Sequence, residues 1–288
     1  MNCTKTQSNF WSNKMQILIL IAMILCVQGC TNFHRIYDDE RQASLAQQTP
    51  LKNAPVLTEA DIAQLPEPVQ YYIRICGHLG QPRYQSADII WANSHYRGKP
   101  DAKWIKMKTR QFNSVRPPVR LAHMKAWMMG IIPFEGRDKY ADGAGHMYAK
   151  LAGLIKIFDT KDPEIGHSAL ITHFAEALFL PEIALQDYIS WLDSGHDYAI
   201  AEINHQGIKA QGIFRFDAAG MLIRFESSDR YCSMPDGSYQ KQPFYCEVLS
   251  HIKVGERIIP QKVTANWTMD GKEFQYWKGT IKEIKYNN

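Results

Sequence analysis

The chain has 288 residues, of which 45% are hydrophobic and 11% aromatic, and it carries 33 basic and 29 acidic side chains. That composition belongs to a folded globular body and excludes a disordered tail. The near balance of charge, +4 overall, excludes the clustered basic excess that nucleic acid requires.

The first element is an uncharged apolar run, Ile17 to Val27, preceded by Lys5 and Lys14 and by no acid. Eleven residues fall short of the roughly 20 needed to span a hydrocarbon core as a helix. The run ends in Val27-Gln28-Gly29-Cys30, which looks like a bacterial lipobox. The expectation is a signal peptide over residues 1–29 whose removal leaves Cys30 as a lipidated N-terminus bearing palmitate-type chains. Two acyl chains anchor stably where one binds only marginally. Thr31, in place of an aspartate, fits sorting to the outer membrane, with the protein facing the periplasm. Without residues 1–29 the chain holds 31 basic against 29 acidic residues, close to neutral. Residues 30–57, polar and without sustained periodicity, read as the lipidated cysteine and a tether. Residues 58–288 read as a single globular domain.

Thr58-Glu59-Ala60-Asp61 predicts a short capped helix, the acids sitting well in its first turn. Leu65-Pro66-Glu67-Pro68 starts a second helix in which Val69, Tyr72, Ile73 and Cys76 form one apolar stripe, ended by Gly77 as a left-handed cap. From Ser86 the period becomes two. Lys103 to Phe112 puts Ile105 and Met107 on one face and Lys106, Lys108 and Arg110 on the other. Strands follow over Arg120 to Met128 and Pro133 to Tyr140, then a turn at Asp142-Gly143 and an apolar strand from His146 to Phe158 with an irregularity at Gly153. One long helix is expected between Pro163 and Phe179, its buried stripe including Leu170 and Phe174, with Pro181 stopping it. The strands after it run from Tyr198, Ile208, Met221, Phe244, Ile259 and Glu273, and hairpin turns at 217–220 and 269–272 make neighbours antiparallel. The fold class is α+β, predominantly antiparallel β, with a curved half-barrel-like sheet packed with a few helices.

Several phrases together resemble an uncharacterised bacterial family of unknown function, the DUF6544/DUF6920 group. They include Leu65-Pro66-Glu67-Pro68-Val69, Arg137-Asp138-Lys139-Tyr140, His173-Phe174-Ala175-Glu176, Asp229-Arg230-Tyr231 and Tyr276-Trp277-Lys278-Gly279. The family implies no known activity. The layout is also similar to the half-barrel of lipoprotein carriers and related lipid-binding proteins, an analogy of fold alone.

No HExxH or paired CxxC occurs among the ten histidines and six cysteines, so no metal or other cofactor is expected. Ser194-Gly195-His196-Asp197 has triad residue types in a row but no nucleophile elbow, and reads as a turn. Charged residues inside apolar segments are more telling. Glu176 lies on the long helix and Asp229 on a strand, and a buried carboxylate needs a cation or several donors. Glu176 is expected to pair with Arg137 or Arg230 beneath the sheet. In an oxidising compartment Cys232 and Cys246 are expected to bridge, closing a loop worth on the order of 3 kcal/mol; Cys76 reads as a core residue.

The composition and the half-barrel layout favour an envelope lipoprotein that binds a hydrophobic or lipid-like ligand. Met124, Trp127, Met128, Arg137, Trp191 and Arg230 would line the site, flexible methionines accommodating acyl chains. Two other readings stay open. One is an envelope hydrolase or transferase using Glu176 or Asp229 as acid or base; the other is a structural or assembly lipoprotein with no small-molecule site, which a filled concavity together with a contiguous apolar patch outside it would favour. No nucleic-acid partner is expected.

Overall fold

The computed structural model describes residues 32–49, 51 and 55–288. The segment read as a signal peptide, together with Cys30, lies outside the described residues. The first described element departs from the expected tether. Phe33–Ala46 is a helix, α1, capped by the Asn32 side chain, which accepts from the Arg35 amide. Two short helices follow, α2 (Glu59–Ile62) with a Thr58–Asp61 capping box and α3 (Glu67–Ile75). Gly77 ends α3 with φ +68°, as its position in the sequence predicts.

The first sheet arm is a meander of six strands: β1 (Ser86–Tyr96), β2 (Ile105–Ser114), β3 (Val119–Met128), β4 (Ile132–Ala141), β5 (Ala144–Leu151) and β6 (Ile155–Thr160). The single strand expected over His146 to Phe158 is thus a hairpin, β5–β6, turning at Ala152 and Gly153, both with positive φ. Helix α4 (Pro163–Ala175) then leads into buried turns that end at β7 (Ile189–Ser194). The second arm continues through β8 (Tyr198–His205), β9 (Ile208–Phe216) and β10 (Leu222–Ser227). A small separate hairpin, β11 (Tyr231–Ser233) and β12 (Tyr239–Lys241), precedes β13 (Phe244–Val254), β14 (Arg257–Met269) and β15 (Lys272–Asn287).

Thirteen strands form one antiparallel sheet in the order β6-β5-β4-β3-β2-β1-β15-β14-β13-β10-β9-β8-β7. Its curvature follows from α4, which packs against β3, β4 and β5 and also against β9 and β10. In a flat sheet β3 and β10 would lie six strand spacings, roughly 29 Å, apart, whereas a helix with its side chains is only about 10–12 Å across. Both arms touch one helix because the sheet curls around it, and it remains open between β6 and β7. Close approach depends on glycine: a Cβ on Gly145 would stand 2.6 Å from the Gly166 backbone nitrogen in α4.

α4 shows no single apolar stripe because most of its circumference is buried, with Pro163, Glu164, His167 and Thr172 reaching the surface. Leu170, Ile171 and Phe174 join Tyr72, Ile73, Phe214 and Phe225 in the main core on the concave face. α1 lies on the opposite, convex face of β2–β4. There Tyr37 packs with Phe112, Val119 and Leu121 in a second, smaller core. Charge fixes the helix in place: Arg41 donates to Asp88 at 2.6 and 2.5 Å, Arg110 donates to Asp38 at 3.0 Å, and Arg137 donates to Glu40 at 2.6 and 2.7 Å.

Candidate functional site

Strand alternation sorts the residues of β1–β5 onto two faces, and registered pairing builds the concave one in rows. The row nearest the β2–β3 turn contains Asn113, Arg120, Tyr140 and Gly145. The next holds Gln111, Ala122, Asp138 and Met147. Beyond it come Trp91, Thr109, Met124, Gly136 and Ala149, and then Met107, Ala126, Phe134 and Leu151 beside the β3–β4 and β5–β6 turns. The face therefore grades from charged and polar at one end to small and apolar at the other.

The polar end is a closed network. Glu176, the C-cap of α4, accepts from Gln111 at 2.9 Å, from Asn113 at 2.7 Å and from Arg120 at 3.1 Å. Arg120 also donates to Asp138 at 3.0 Å, and the Trp91 indole donates to Gln111 at 3.0 Å. The expected partners of Glu176 are corrected: Arg120 holds it, while Arg137 faces the convex side and clamps α1. Strand parity decides this, since Arg120 and Arg137 point to opposite faces of paired strands. His173, fully buried one turn before Glu176, has no partner on either ring nitrogen among the described residues. Burial, with the charge of Arg120 adding to it, pushes its pKa down to about 3, so the ring is neutral.

Arg230 closes the other side of the concavity. Its guanidinium lies over the rings of Phe244 (4.2 Å), Trp267 (4.8 Å) and Tyr276 (5.7 Å) and donates to the Tyr276 hydroxyl at 2.8 Å. Cys246 lies within electrostatic reach of Arg230, Glu176 and Arg120. Burial raises its thiol to about 12, which keeps it protonated and unsuited to nucleophilic attack. Cys232 and Cys246 are both free thiols, so the expected bridge is not formed. Cys246 sits within the main sheet opposite Ala265, whereas Cys232 belongs to the separate β11–β12 hairpin opposite Gln240.

The other expected ligand-lining residues are dispersed. Met124 is half-buried on the concave face, where its Sδ-methyl end and the Phe134 ring stand 3.7 and 3.6 Å from a Cβ placed on Gly136. Met128 is half-buried at the end of β3, and Trp127 is exposed. Trp191 packs on Phe214 with its indole donating to the Ala184 carbonyl. Asp229 lies beyond the end of β10, paired with Lys241 at 2.8 Å and accepting from the Gln211 amide at 2.9 Å. Burial works to raise its pKa, but Lys241 and that amide outweigh it and hold the carboxyl below its ordinary value. Glu176 and Asp229 share no hydrogen-bond partner among the described residues. Among the described residues no three His, Cys, Asp or Glu side chains come together as a metal site.

The residues missed from sequence are Arg120, Gln111, Asn113 and Asp138. A signal for them exists: the alternation that puts Ile105 and Met107 on the inward face continues to Thr109, Gln111 and Asn113, and an inward polar run demands a buried partner.

A family model for a family of unknown function, DUF6544, matches residues 55–279. The chain belongs to that family. Among solved structures, it is similar to a LolA superfamily protein from Nitrosomonas europaea, with 8% identity over 77% of this chain and 92% of that one, at a TM-score of 0.40. A candidate outer membrane lipoprotein-sorting protein domain from Vibrio parahaemolyticus matches at 11% identity, 70% and 85% coverage and a TM-score of 0.39. A DUF1329 family protein from Desulfovibrio piger matches at 10% identity, 81% and 94% coverage and a TM-score of 0.37. These are likenesses of general layout. No curated protein matches the chain. Among the described residues no helix is long and apolar enough to cross a membrane.

Proposed function

We propose that this protein is a bacterial envelope lipoprotein, anchored through acylated Cys30, that holds a hydrophobic or lipid-like ligand along the concave face of β2–β5. The observation that carries the reading is the grading of that face. Ala122, Ala126, Gly136 and Ala149 leave a floor of small residues, and Met124 and Phe134, both half-buried, lean over it. A thioether side chain changes rotamer readily and makes favourable contact with acyl chains of varied shape. An amphiphile would lay its chain on this floor, displacing Met124 and Phe134, and turn its polar end toward the Arg120–Asp138 ion pair.

The test is displacement of an environment-sensitive fluorescent fatty acid from the purified protein. Saturable binding is expected, weakened at least about tenfold by Met124→Lys, which puts a charge on the floor where an apolar chain would lie. Because Met124 is half-buried, the ammonium reaches water and the fold survives, as circular dichroism would verify. Absence of saturable binding, or equal binding by the variant, contradicts the reading.

A further inference from the structure

The β3–β4 and β5–β6 turns and the strand ends beside them carry Trp127, Met129, Ile131, Leu154, Ile155 and Ile157, each between 48% and 83% exposed. Scattered exposed apolar residues are ordinary on any protein, but six large ones on two neighbouring hairpin ends are not. Pairing makes them neighbours: β4 and β5 join with Phe134 opposite Leu151, Met128 faces Ile132 across one turn, and Leu151 faces Ile155 across the other. Both turns therefore project from the same end of the sheet. Each is tight, with positive φ at Met129 and Gly130 and at Ala152 and Gly153, so side chains at the tips cannot fold back onto a core.

The surroundings of the tips are basic. Residues 125–135 and 150–157 contain Lys125, Lys150 and Lys156 against Glu135, which pairs with Lys125 at 2.8 Å. Two narrow apolar points with a lysine rim suit a deformable apolar phase beneath anionic headgroups, and an indole suits the boundary between them. The Phe33 ring at the start of α1 packs 5.0 Å from Tyr148, three residues before the end of β5.

We propose that the β3–β4 and β5–β6 hairpin tips insert into the surface of a bilayer containing anionic phospholipid. The small-residue floor of the concave face would open toward the bilayer. The proposal goes beyond ligand binding and stands on the hairpins alone.

The experiment uses the full chain with Cys30→Ser, which removes the acyl anchor, on vesicles of phosphatidylcholine with phosphatidylglycerol. With brominated acyl chains, the fluorescence component lost in Trp127→Phe should be quenched. Ile131→Asp with Ile155→Asp should lower vesicle partitioning by about a hundredfold, the loss expected when two isoleucine side chains return to water. Both positions are exposed, so folding should be untouched. An unquenched Trp127, or equal partitioning of the double variant, overturns the proposal. So does a concentration-dependent dimer that the same substitutions abolish, since that would make the tips a contact between copies. Met124→Lys leaves the tips intact, so a failure of ligand binding and a failure of membrane insertion are read separately.

Discussion

Replacing Glu176 by alanine tests the main structural inference. The carboxylate is 7% exposed and accepts from three side chains, Gln111, Asn113 and Arg120. Its loss leaves Arg120 with Asp138 at 3.0 Å and a long contact to Gln111 at 3.4 Å, and strands the Asn113 amide donor in the interior, while the Gln111 amide keeps its bond to Asn113 at 2.7 Å. Breaking a buried pair by removing one partner costs about 3–5 kcal/mol, because the remaining charge keeps its desolvation penalty without its compensation. For a domain of this size each kcal/mol moves the melting midpoint by roughly 2–4 °C, so Glu176→Ala should lower Tm by about 10 °C. Glu176→Gln keeps the shape but neither the charge nor every acceptor, and should fall between the two. Calorimetry on both variants, combined with Arg120→Met in a double-mutant cycle, separates the pair from its surroundings. The coupling should be well above 1 kcal/mol. A Glu176→Ala protein melting with the wild type, or strictly additive effects, would refute the network as a source of stability.

Other consequences follow from the same packing. Gly145→Ala drives a methyl into the backbone of α4 at Gly166 and should cost about 1–3 kcal/mol in urea unfolding, whereas an alanine at the open turn of Gly130 should not produce a packing clash. Burial depresses the pKa of His173 and of His78 to about 3, so each stays neutral in the folded state while its unfolded counterpart takes a proton near 6.5. Their contribution is complete above pH 6.5 and is lost as pH falls toward 3. Stability should drop by about 2 kcal/mol per histidine between pH 7 and 5, and His173→Met should make the urea midpoint less pH-dependent; an unchanged slope would count against the assignment. Asp88→Asn weakens the doubly bonded Arg41 contact and should loosen α1, seen as faster amide exchange over residues 36–46 with β2 unaffected.

Much of the fold is legible in the sequence where the information is local. The alternation over Lys103 to Phe112 appears as β2, Gly77 caps α3, and the 217–220 and 269–272 segments turn as expected, with positive φ at Gly220 and at Asp270 and Gly271. What is not legible depends on distant partners. α1 has only Phe33, Tyr37 and Ser44 buried, too sparse a stripe to read as a docked helix. It is held by contacts to Asp88, Arg110 and Arg137, far along the chain. The β5–β6 turn is hidden because Ala152 takes a left-handed conformation usually left to glycine or asparagine. Glu176 announces a buried carboxylate, but its cation is chosen by strand parity and sheet curvature. Only the inward polar run at Gln111 and Asn113 points toward the strand that supplies it.

The most direct test of the functional account is native mass spectrometry of the protein expressed through a bacterial envelope, with Cys30 replaced, purified without detergent. The account predicts a reproducible added mass, identified as lipid after denaturation, present on the parent and lost from Met124→Lys. A clean apo mass on the parent, or an adduct retained by the variant, would contradict a lipid held on the concave face.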